Sequence, residues 1–164
     1  MPRLTIIFLF FVLSLVGIIF LPTPKKDEVH YHAGFVVYVN GEKQDFSLSK
    51  YMHLEICDPS GAHKEDEQIE KAHLHSGVGD VVHVHRKNAY WRDLFHNIGY
   101  ELPPGLPVVG LSEQETIPNF LNTPIYPNQS VIILVGQSPV PDLTSFISQE
   151  HIKEVENSSE SCGS

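Results

Sequence analysis

A chain of 164 residues leaves room for one modest domain once terminal appendages are set aside. Its 11 basic residues stand against 20 acidic ones, a formal charge of -9, and they form no stripe that could neutralise a phosphate backbone, which excludes nucleic acid as a partner. The two cysteines, Cys57 and Cys162, cannot build a disulfide framework, although one bridge between them stays open, and their spacing matches neither a zinc ribbon nor a Cys-x-x-Cys redox pair.

From Leu4 to Leu21 the chain runs 18 residues without a charge, about the minimum for a helix crossing a hydrocarbon core of roughly 30 Å. No small-x-small cleavage site follows in Pro22 to Glu28, so residues 1–27 read as an uncleaved signal anchor and linker; cleavage would make the protein secreted. Arg3 before the segment and Lys25 and Lys26 after it would, on loop charge alone, hold the domain inside the cell. The signal-like N-terminal position points the other way, and the expectation is a single-pass cell-membrane protein with its domain outside the cytoplasm.

Val29, Tyr31, Ala33, Phe35, Val37 and Val39 alternate with His30, His32, Gly34, Val36 and Tyr38, the period of a strand with one strongly apolar face. Asn40-Gly41 then supplies a dipeptide suited to a type I′ turn, and Glu42 to Leu48 is expected to return as the hairpin partner. Asp58-Pro-Ser-Gly and the acidic run Lys64-Glu-Asp-Glu read as a loop without the Asp/Asn alternation of a calcium site. A second hairpin is predicted from Lys71–His75 and Val81–His85 around the loop 76–80. Asn88 to Gly99 places Tyr90, Trp91, Leu94, Phe95 and Ile98 at helical spacing, with Gly99 set to end the helix. Ser130 to Gly136 is a short continuous apolar run, read as a buried closing strand. Beyond it, 138–164 is a polar tail expected to be disordered apart from one weak helix over Leu143–Val155. The folded unit is thus 28–137, mainly β in an α+β sense: an antiparallel sheet, sandwich or small barrel with one packed helix.

Ten histidines are the compositional oddity, and most fall between His30 and His96. Three His-x-His pairs occur, His30/His32, His73/His75 and His83/His85, and on a strand both members of a pair project from one face roughly 6–7 Å apart. In the second hairpin only one register keeps Ala72, Leu74, Val82 and Val84 together on the apolar face; that register sets His73 opposite His83 with His75 and His85 diagonal to them. Converging neutral imidazoles suit a divalent transition metal, Zn²⁺, Cu²⁺ or Ni²⁺, with His73, His75, His83 and His85 as the first ligands and His30 and His32 as the second tier. Copper(I) is disfavoured because Met52 and Cys57 are the only soft side chains inside the domain. His53, Cys57 and Asp58 could add a ligand from the intervening segment, whereas His63, His96 and His151 read as solvated or hydrogen-bonded residues. The alternative for the whole cluster is a polar or pH-responsive surface without metal.

Enzyme patterns fit poorly. His73-x-His75 lacks the Asp-His that completes the metallo-β-lactamase signature, and Lys87 stands where a histidine triad would continue. A cupin-like metal-dependent enzyme, with Asp80 as the carboxylate after a His-x-His, is the runner-up. Segment 30–136 resembles a family of uncharacterised, membrane-anchored or secreted prokaryotic proteins through His-x-His-Ala ahead of an Asn-Gly hairpin, the paired His-x-His strands, the Trp-Arg-Asp-Leu-Phe helix and the closing Pro-Asn-Gln-Ser-Val-Ile-Ile-Leu-Val-Gly strand. Members of that family carry His-Thr-His-Asp and Ile-His-Ile-Glu where this chain has His73-Leu-His75-Ser and Val82-His-Val-His85. The resemblance implies an extracytoplasmic location and a histidine cluster, and no reaction.

Overall fold

The computed structural model describes residues 28–53, 66–137, 139 and 142–158. The apolar segment 4–21 lies outside them, as do Cys57, Asp58, His63 and Cys162, and no helix among the described residues is long and apolar enough to cross a membrane.

Strand β1, Glu28–Val39, shows the expected alternation. Ala33, Phe35 and Val37 enter the main core, while Val36 and Tyr38 join a smaller apolar cluster on the other face. Asn40 and Gly41 take φ angles of 50° and 85°, the left-handed pair of a type I′ turn. The returning strand β2 is only Glu42–Lys43, because the Asp45 carboxylate accepts the Ser47 N–H at 2.9 Å and turns the chain, carrying Phe46 into the core.

Strand β3, Val81–Arg86, runs antiparallel to the first half of β1, with His32 opposite His83. The second hairpin keeps its expected register, yet its first arm is reduced to one bridge, in which His73 and His83 exchange two backbone hydrogen bonds of 3.0 Å. A 3₁₀ turn at Ile69–Lys71 precedes the bridge, and Ser76 and Gly77 at positive φ follow it, so the chain is extended only briefly.

Strand β4, Val108–Leu111, and β5, Thr116–Pro118, form a hairpin that pairs with β6, Ser130–Val135. Here the sheet departs from the antiparallel expectation: β6 lies parallel to β1, from Gly34 opposite Ser130 to Val39 opposite Val135. The physical reason is burial on both sides. Val131, Ile133 and Val135 enter the main core and Ile132 and Leu134 the second cluster, the uninterrupted apolar run of a strand covered on two faces. The result is one curled, mixed six-stranded sheet, a half-barrel with two short helices, in place of the eight-stranded double-sheet jelly roll of a cupin.

Helix α1, Trp91–Asn97, covers the main core with Trp91, Leu94 and Phe95, begins where the Asp93 carboxylate accepts the Tyr90 N–H at 2.8 Å, and ends before Gly99 at φ 63°. Its last residue ties it to the 3₁₀ turn, since the Asn97 amide donates to the carbonyls of Gln68 at 2.7 Å and Ala72 at 2.8 Å. In the segment that composition assigns to a polar tail, Gln149–Asn157 forms helix α2, capped where Ser148 Oγ accepts the His151 N–H. Its Ile152 and Val155 are buried with Val81, so α2 covers part of the sheet face opposite the main core.

A candidate metal centre

The remainder of that second face carries the histidines. Side-chain alternation on β1 and β3 puts His30, His32, His83 and His85 on one face, and the bridge at His73 extends the row across a third strand, His32–His83–His73. His83 is central. Its ring stacks on His32 at 4.3 Å between centroids and stands 4.7 Å from His30, 5.1 Å from His73, 4.6 Å from His75 and 4.4 Å from His85. Each of His30, His32 and His83 can offer a ring nitrogen within 4.8 Å of the other two, so this trio could hold a metal ion. His53 stands behind the row, 5.4 Å from His73.

Hydrogen bonds fix which nitrogens face inward. A carbonyl oxygen can only accept, so His73 Nδ1, 3.1 Å from the Ile69 oxygen, carries the proton and Nε2 keeps its lone pair. The same holds at His85, whose Nδ1 donates to the Glu70 carboxylate at 2.7 Å. Such outer partners set the tautomer and raise the basicity of a metal-binding imidazole. Both come from the 3₁₀ turn that Asn97 holds, so α1 helps to position the cluster through that turn. Two further contacts join imidazoles directly: His75 Nε2 meets His83 Nδ1 at 2.5 Å, and His85 Nε2 meets His83 Nε2 at 2.9 Å.

His32 is the unusual member. It is only 3% exposed, and among the described residues neither of its buried ring nitrogens has a hydrogen-bond partner, whereas nearly all buried polar atoms in proteins have one. Burial, reinforced by the neighbouring imidazoles, lowers the pKa of His32 to about 4 and of His73 to about 3, and pushes His83 lower still. At neutral pH these three rings are uncharged and no proton competes for their ligand nitrogens. The rim is wetter: His30 is exposed, His85 half-buried, and the two border an open depression of about 560 Å³ with Glu28 and Val29.

All six histidines singled out in the sequence therefore lie in one array, and the distinction between first and second tiers disappears because β1 pairs directly with β3. Glu70 has no sequence signal: a strand through 70–75 would point it away from His73, and only the 3₁₀ turn returns it to the histidine face. Asp80 does not face the cluster; it meets His151 Nε2 at 3.0 Å beside α2. His96 is exposed, and Met52 packs against the core. Comparison of the chain with models of protein families, with curated proteins and with solved structures gives no match, so the site is defined by its own residues.

Proposed function

We propose that this protein is an extracytoplasmic metal-binding domain, fastened to the cell membrane through residues 4–21, that holds a divalent transition-metal ion in its histidine cluster. The observation that carries this reading is His32, a buried imidazole with two unpartnered nitrogens among five other imidazoles. Leaving such a group unsatisfied costs about 1–3 kcal/mol, and metal coordination supplies a partner for one of the two nitrogens. Donors that are all imidazole nitrogen on a rigid sheet favour Zn²⁺, Cu²⁺ or Ni²⁺ over magnesium or calcium, which take oxygen ligands.

The test is the metal content of the full-length chain purified without a histidine tag. Near-stoichiometric metal, lost when His32 and His83 are replaced together, is the expected result; a chain that carries none and takes up neither Zn²⁺, Cu²⁺ nor Ni²⁺ overturns the reading and leaves a structural role. Protease added to intact cells tests the placement, which requires residues 28–137 to be cleavable from outside. A metal-dependent enzyme is the second reading, favoured by the open depression beside His30 and His85, through which water and a small substrate could reach a bound ion.

A further inference from the structure

Among the described residues the group whose ligand atoms converge is His30, His32 and His83, three imidazoles with no fourth donor. A structural zinc site is closed by four protein ligands, whereas a site that handles exogenous molecules keeps three and leaves the fourth position to water or substrate. His32 and His83 are buried, so neither meets solvent directly. His30 is exposed, and it lines the open depression of about 560 Å³ together with Glu28, Val29 and His85. The solvent side of an ion on this trio is therefore the depression, which has room for a ligand of several heavy atoms.

His85 stands beside the trio in the wall of that depression, its ring 4.4 Å from His83 and 5.1 Å from His30. Its Nδ1 donates to the Glu70 carboxylate at 2.7 Å, so Nε2 carries a lone pair, and that atom faces His83 Nε2 at 2.9 Å. Glu70 is buried and belongs to the 3₁₀ turn ahead of the His73 bridge, so the ring is held in this orientation from behind. A ligand entering beside it meets a hydrogen-bond acceptor. One that carries a proton gains a bond there, and one without a proton meets only a lone pair.

We propose that an ion held by His30, His32 and His83 keeps its fourth position open to the depression, and that His85 selects small, proton-bearing oxygen ligands at that position by accepting their hydrogen bond. The proposal deepens the metal-binding reading and rests on it. Water is the resting ligand, His85 acts as a positioning residue outside the three donors, and Glu70 fixes its tautomer.

The full-length chain loaded with Co²⁺, whose visible absorption changes when a ligand enters its coordination shell, tests this. The probes are acetohydroxamate, which keeps an N–H beside its metal-binding oxygens, and azide, which carries no proton; cobalt retention is checked by gel filtration after each titration. The expected result is a saturable spectral change with acetohydroxamate. In His85→Ala the cobalt content should be unchanged while the affinity ratio of acetohydroxamate to azide falls about 10-fold, the worth of one hydrogen bond. His85→Gln, whose amide oxygen can accept the same bond, should recover most of that ratio, which repair of a merely structural loss would not do. A spectrum indifferent to both probes means a closed site, cobalt lost from His85→Ala makes His85 a ligand, and an unchanged ratio in that variant removes its selecting role; each overturns the proposal while leaving a metal-binding protein. No cobalt uptake by the unsubstituted chain overturns the underlying reading as well.

Discussion

A buried imidazole with neither nitrogen paired works against the metal-free fold, and His32 is such a group. Replacing it by leucine, similar in bulk and free of polar atoms, should stabilise the metal-free protein by about 1–3 kcal/mol, seen as a higher urea midpoint, while weakening metal binding. A site residue retained for its chemistry should show this opposition; a loss of stability in His32→Leu would mean that its nitrogens are satisfied in solution. Glu70 makes the complementary case, because it touches an imidazole of the cluster and no proposed ion. Glu70→Gln keeps an oxygen that can accept from His85 Nδ1 but removes the charge, and competition with a chelator should show metal affinity reduced roughly 10-fold or more with little change in the fold. The histidines were legible in the sequence through their pairing, whereas Glu70 was hidden by its parity with the wrong face of a strand that, at residues 69–71, is not a strand.

The elements that report themselves most clearly are those whose local chemistry and tertiary surroundings agree. Asn40-Gly41 sets its turn, the alternation of β1 sets its two faces, and Trp91, Leu94, Phe95 and Ile98 set the buried side of α1. The parallel seating of β6 was not legible, since an apolar run marks burial on two faces without saying which neighbour runs in which direction. Helix α2 was the other concealed element: its polar composition suggests a tail, and its buried residues are Ile152 and Val155. Gly34 makes that docking possible, because a Cβ there would lie 2.6 Å from the Cβ of Ile147 and 3.2 Å from Ile152. Gly34→Ala should therefore destabilise the protein by about 1–3 kcal/mol and expose residues 142–158 to limited proteolysis, a pattern readable by mass spectrometry of the early fragments.

At the scale of the molecule the cluster makes stability depend on pH. In the folded state burial holds His32 at about 4 and His73 at about 3, with His83 lower still, whereas each returns to about 6.5 on unfolding. Between these values the unfolded chain binds more protons than the folded one, so stability rises with pH and falls as the solution is acidified from about 6.5 towards 4, by up to about 1.4 kcal/mol per pH unit for each ring. The thermal midpoint of the metal-free protein should stay level above neutral pH and decline through that window; a midpoint insensitive to acid there would show that these rings are not held neutral. The order of strands adds a further consequence. The strand that supplies His30 and His32 is the first of the sheet in sequence, yet one long edge of it is matched, among the described residues, by residues 128–135. During synthesis that edge stays unsatisfied until nearly the whole domain has emerged, so completion is slow, many loops must close at once, and a chain interrupted before Ser130 would present β1 as a sticky template for its neighbours.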